Sequence, residues 1–187
     1  PPPDPVAPAP NAPKVNLAHI AKVKTALAAW AKAKTKCGGN YEYTIGFQSA
    51  FGFGHTTTIV VKNNKVFERR FEEFNRREPP RLGAKPNGFV EIGDAVGKNK
   101  KGAPVKTLDE IYKTATAIAA KALPPHEFRY VRTDKNGLLT SCFIRDRRIA
   151  DDAPRNGVAL GKITLTGGNA KKVFKSPNGK PFPAHWG

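Results

Sequence analysis

From Tyr41 to Phe53 the chain alternates: Tyr41, Tyr43, Ile45, Phe47, Phe51 and Phe53 share one parity, and small or polar residues fill the other. A period of two predicts a strand, and a strand with one covered face should turn this whole aromatic row inward. Ahead of it, Leu17, Ile20, Val23, Leu27 and Trp30 recur at helical spacing after Asn16, a good N-cap, and Gly38-Gly39 supply a left-handed stop. Behind it, Thr57, Ile59 and Val61 alternate up to Asn63-Asn64, two residues that tolerate positive φ, and Val66 and Phe67 follow. This predicts a tight hairpin and a three-stranded meander.

A second helix is predicted from Thr107. Thr107 and Glu110 have capping-box spacing, Asp109 suits the positive helix start, and Leu108, Ile111, Tyr112, Ala115, Ile118 and Ala119 form the apolar stripe. LPP stops it. EFRYVRT and LLTSCFIRD flank Asp134-Lys135-Asn136-Gly137, a strong hairpin signal, and VALGKITL reads as one further strand. The order helix, strands, helix, strands predicts an α+β fold, a mainly antiparallel sheet with both amphipathic helices on one face.

Residues 1–14 are a Pro/Ala-rich tether, 15–166 are expected to form a single domain, and 167–187 are a basic tail. Within the domain, 75–104 is rich in Pro, Gly and charge, with only FVEI resembling a strand, and reads as an insertion or functional loop. The tether and the absence of Met point to a processed, exported product, periplasmic or secreted. No apolar run approaches the roughly 20 residues that span a bilayer, so no membrane span is expected.

The pattern resembles a family of exported bacterial proteins, many of them lipoproteins, whose function is unknown. The matching features are Tyr41 and Tyr43, the hairpin from Val60 to Val66, Thr107-Leu108-Asp109-Glu110-Ile111-Tyr112, Asp134 with Gly137, and Asp151-Asp152. The family's Cys-x-Cys after the first strand is missing, and Leu139 stands at its late proline. The resemblance implies export and this fold, and no reaction or catalytic residue.

Charge changes the picture more than any motif. The chain carries 32 Lys and Arg against 15 Asp and Glu, a formal charge of +17. Such a surface attracts nucleic acid, an acidic polysaccharide or an acidic protein face alike. The candidate anion-binding residues are Lys98, Lys100, Lys101 and Lys106 in the long loop and Lys171, Lys172 and Lys175 in the tail, segments without acidic neighbours in sequence. The bland alternative is a charged surface that only opposes aggregation.

Catalytic chemistry is sparse. The four histidines are scattered without zinc-helix spacing, and Asp146, Asp151 and Asp152 are surrounded by arginines, which favours ion pairs over a metal. No metal or cofactor is expected. Cys37 and Cys142 form no C-x-x-C; they are either a long-range disulfide or two packed thiols.

SAFGFGH is similar to the aromatic strand of RNA-recognition domains, but no partner aromatic strand precedes the first helix. The leading expectation is a non-enzymatic accessory module that engages an anionic partner through its lysines. One alternative is an enzyme with a site near His55 and the 75–104 loop. The other is a nucleic-acid binder using Phe51 and Phe53, which requires those rings to be exposed.

Overall fold

The computed structural model describes residues 13–77, 87–149 and 156–167. The tether before residue 13, residues 78–86, the Asp151-Asp152 pair and the tail with Lys171, Lys172 and Lys175 lie outside the described residues. The fold is α+β, with antiparallel pairing throughout and the expected order of helix, strands, helix, strands. Its strands are divided between a five-stranded and a three-stranded sheet, and the chain between two compact units.

The first unit takes Pro1–Ala31 and Leu108–Leu160. It contains residues 17–31 of helix α1 (Leu17–Cys37), helix α2 (Leu108–Ala120), and strands β5 (Glu127–Thr133), β6 (Leu139–Asp146) and β7 (Asn156–Ala159), ordered β5-β6-β7. Asn16 caps α1 as expected, its Oδ1 accepting from the His19 amide at 3.2 Å. On α2 the predicted stripe is buried at Leu108, Ile111, Tyr112, Ala115 and Ala119. That stripe lies on the small sheet: Leu139 N–H donates to the Tyr112 hydroxyl at 2.9 Å, and Cys142 Sγ donates to the Ala115 carbonyl at 3.4 Å. Trp30 on α1 stacks on Tyr112, ring centroids 6.2 Å apart, while its Nε1–H reaches Asp109 Oδ1 at 2.9 Å. Of the predicted α1 stripe, Val23 and Trp30 are buried but Leu17 and Leu27 are exposed.

The second unit takes Lys32–Thr107 and Gly161–Gly187. Its sheet has the order β4-β3-β2-β1-β8. The strands are β1 (Tyr41–Gln48), β2 (Phe53–Lys62), β3 (Lys65–Asn75), β4 (Gly88–Ile92) and β8 (Ile163–Leu165). α1 ends where predicted: Gly38 and Gly39 have positive φ and their amides return to the Thr35 and Lys34 carbonyls. The β2–β3 hairpin turns at Asn63 and Asn64, φ 50° and 63°, between the pair Lys62–Lys65.

VALGKITL is two strands rather than the one expected. β7 pairs with β6 and β8 with β1, and the break falls at Gly161, whose amide donates to the Thr44 carbonyl at 2.7 Å. A Cβ there would sit 2.4 Å from Thr44 Oγ1, so the chain can pass so close only without a side chain.

Candidate ligand-binding surface

The basic segment after β4 is a fixed loop. Arg69 on β3 and Glu91 on β4 face each other in register and form a buried ion pair at 2.7 Å. Each also holds the loop: Glu91 accepts from the Gly97 and Asn99 amides, and Arg69 donates to the Asn99 and Ala103 carbonyls. Ala103 N–H continues to Thr57 Oγ1 at 2.9 Å, and the Tyr43 hydroxyl donates to the Lys106 carbonyl. Buried charge demands such complete satisfaction, and here the demand organises the loop's backbone.

The loop presents its lysines outward. Lys98, Lys100, Lys101 and Lys106 are exposed. Lys101 differs from the expectation of unpaired lysines, because Glu73 lies 3.1 Å away on the neighbouring strand, a partner that sequence distance conceals. Lys98, Lys100 and Lys106 make no ion pair among the described residues.

The loop crosses the sheet only as far as Thr57, and this corrects the expectation for the aromatic row. Tyr41 and Tyr43 are buried, at 1% and 0% exposure, but Phe47, Phe51 and Phe53 are 53%, 64% and 50% exposed. Alternation puts the β1 and β2 rings on one face, and burial then depends on what covers it. At the uncovered end a file of rings crosses four strands. Phe47 lies 6.0 Å from His55 and 6.5 Å from Phe53, His55 lies 5.6 Å from Phe71, and Phe71 stacks on Phe89 at 5.3 Å.

Two arginines that sequence reasoning passed over complete this end. Phe51 sits on a turn in which Gly52 N–H returns to Ser49 O, and Gly52 O accepts from the Arg76 amide at 2.9 Å. That bond fixes the Phe51 turn to the end of β3, where the Arg77 guanidinium stands over the Phe51 ring at 5.5 Å and that of Arg76 over Phe74 at 5.6 Å. The signal available was the pair Arg76-Arg77 directly after the strand FEEFN.

His55 lines a cleft of about 410 Å³ with Thr57, Phe71, Glu73 and Lys101. The pocket thus brings His55 beside a carboxylate, as the enzyme alternative requires. That carboxylate is engaged by Lys101 and by Asn87 Nδ2, and the Thr57 hydroxyl accepts from Ala103. His55 itself packs between Phe47 and Phe71. The cleft is built as a continuation of the ring file.

The remaining candidates are structural. Cys37 and Cys142 are buried thiols, and each donates to a backbone carbonyl of its own surroundings, Lys34 and Ala115. Asp146 is bound by Arg148 at 2.6 Å, and this hydrogen-bonded pairing lowers its carboxyl to about 2. No cluster of three metal-ligating side chains occurs among the described residues, and no helix there is long and apolar enough to cross a membrane. Comparison with protein-family models, curated proteins and solved structures gives no significant match.

Proposed function

We propose that this chain is a non-enzymatic binding module for an anionic polymer, and that the polymer is single-stranded nucleic acid. The observation that carries the reading is the exposure of Phe47, Phe51 and Phe53 at a sheet end flanked by Arg76 and Arg77. Exposed rings at strand ends offer faces on which successive unpaired bases stack, and fixed cations follow the phosphates. The charge of +17 supplies long-range attraction, and Lys98 and Lys100 add exposed cations on a braced loop. An acidic protein face would use the same charge but gives no reason for three half-exposed phenyl rings.

A fluorescence titration of a labelled oligothymidine at rising salt tests it, with heparin as a second ligand. Binding should weaken steeply with salt for both. Replacing Phe51 and Phe53 with Ala should abolish most oligothymidine affinity and spare heparin. Equal retention of both ligands would leave a polyanion binder and remove nucleic acid; no binding at low salt removes the proposal entirely.

A further inference from the structure

A different surface, in the first unit, holds polar groups that the fold leaves unsatisfied. Between the start of α1 and the start of β5 lies a cleft of about 810 Å³, within the range of small-molecule sites. Arg129 stands on its wall with only 6% of its surface exposed. Among the described residues its one hydrogen bond is to the Lys121 carbonyl, its Nε has no partner, and no carboxylate lies within ion-pair reach. A buried cation without a counter-ion is costly, and burial lowers the guanidinium's own basicity.

Two further orphans share the wall: His19 Nδ1 and Glu127 Oε2 are out of solvent contact without a hydrogen-bond partner. Glu127 and Arg129 are two apart on β5, so both project to one side, with Cα atoms roughly 6.7 Å apart. The first turn of α1 closes the other side. It contains no acidic residue, and the Leu17 and Ala18 N–H groups have no intrahelical acceptor, that of His19 being taken by Asn16 Oδ1. Lys14 and Arg147 stand at the rim. The cleft therefore offers several donors and positive charges, one carboxylate, and an apolar wall that includes Val15, Leu17 and Leu123.

We infer that this cleft is a binding site for a small amphipathic zwitterion of the amino-acid type. Its acid group would meet Arg129 and the α1 N-terminus, its ammonium Glu127 Oε2, and its hydrocarbon Leu17 and Leu123. A simple anion would leave Glu127 unsatisfied and a simple cation would leave Arg129 so; a ligand with both charges answers the two together. The inference is independent of the nucleic-acid reading, since it uses none of those residues.

The test is a two-dimensional NMR titration of the full chain with norleucine, hexanoate and hexylamine, which share a hydrocarbon tail and differ in charge. Norleucine should shift the Arg129 Nε–H and the Ala18 and His19 amides and bind at least tenfold more tightly than the other two. Arg129→Gln should remove norleucine binding. Glu127→Gln is the control for misfolding, because it should lower norleucine affinity while raising that of hexanoate, a swap that unfolding does not imitate. Absence of shifts with all three probes, equal affinity for all three, or an unchanged preference in Glu127→Gln would each overturn the inference.

Discussion

Arg69 and Glu91 meet 2.7 Å apart with 3% and 7% of their surfaces exposed, and between them they make four hydrogen bonds to the loop that follows β4. A pair so placed is costly to break and can be neutral to replace as a whole. Glu91→Gln or Arg69→Gln should each destabilise the chain by about 3–5 kcal/mol. The double change to Leu at both positions should recover part of this in urea denaturation. Amide exchange at Gly97 and Asn99 should be faster than in wild type in all three variants, because the acceptor is gone or misplaced.

The same pair sets an acid limit. Burial alone would raise the Glu91 carboxyl, but the hydrogen bonds from Arg69, Gly97 and Asn99 outweigh it and hold the group below its ordinary 4.5. A carboxyl depressed on folding gives stability that is present above its unfolded value and lost as pH falls through the folded one. Wild type should therefore lose stability progressively below about pH 4.5, and Glu91→Gln should show a shallower fall across that window. A parallel pH dependence in the two proteins would show that Glu91 is not the titrating group.

The exposed rings separate binding from folding. Phe51→Ala and Phe53→Ala should each cost about 1–3 kcal/mol of oligothymidine affinity. Stability should move by no more than about 0.5 kcal/mol, since rings at 64% and 50% exposure contribute little to a core. Replacing Arg76 and Arg77 with Gln should reduce the salt slope by about 1.4 if both meet phosphates. An unchanged slope with lost affinity would mean that they only orient Phe74 and Phe51.

How far the sequence reveals these features depends on the range of the interaction that decides each one. The α2 stripe was legible because Leu108, Ile111, Tyr112, Ala115 and Ala119 make one face by local geometry, whatever covers it. The Asn63-Asn64 turn was legible because positive φ is a property of those two residues. Alternation marked the strand character but ran β1 through the turn at 49–52 into β2; the same parity joins Tyr43 to Phe47, and only the reach of a loop some fifty residues on decides which is buried. The Arg69–Glu91 pair was hidden because strand register, not sequence spacing, brings the two together. The orphaned Arg129 gives no sequence signal either: on β5 it is one more arginine in a basic strand, and only the missing partner marks it.

Close approach rather than turn geometry makes Gly157 on β7 irreplaceable. Its φ is 145°, and a Cβ would lie 2.4 Å from the Cys142 carbonyl oxygen and 2.8 Å from Ile118 Cδ1. Gly157→Ala should cost roughly 2–3 kcal/mol by straining the backbone and prising β7 from β6. Gly93 is the contrast: its φ is 58°, and nothing lies within 4 Å of the added atom. Gly93→Asn should be tolerated to within about 1 kcal/mol, because Asn accepts the left-handed region. Thermal melts of the two variants read the difference directly.

Alkaline unfolding should begin in the first unit, where two buried acids face each other's elements across α2 and β6. Burial raises the Tyr112 phenol to about 12, against a smaller opposing effect of the Leu139 hydrogen bond. Burial likewise raises the Cys142 thiol to about 11, partly offset by the Arg129 charge. For an acid raised on folding, the contribution is complete below its unfolded value and disappears as pH climbs through the folded one. Between their ordinary values of 9 and 10 and those raised values, each group steepens the loss of stability by up to about 1.4 kcal/mol per pH unit. Cys142→Ala should flatten the first part of this fall. Tyr112→Phe should flatten the later part while costing about 1–3 kcal/mol at neutral pH, because the Leu139 N–H loses its acceptor. Urea midpoints measured at intervals from pH 8 to pH 12 distinguish the two, and identical slopes in wild type and both variants would assign the alkaline transition to other groups.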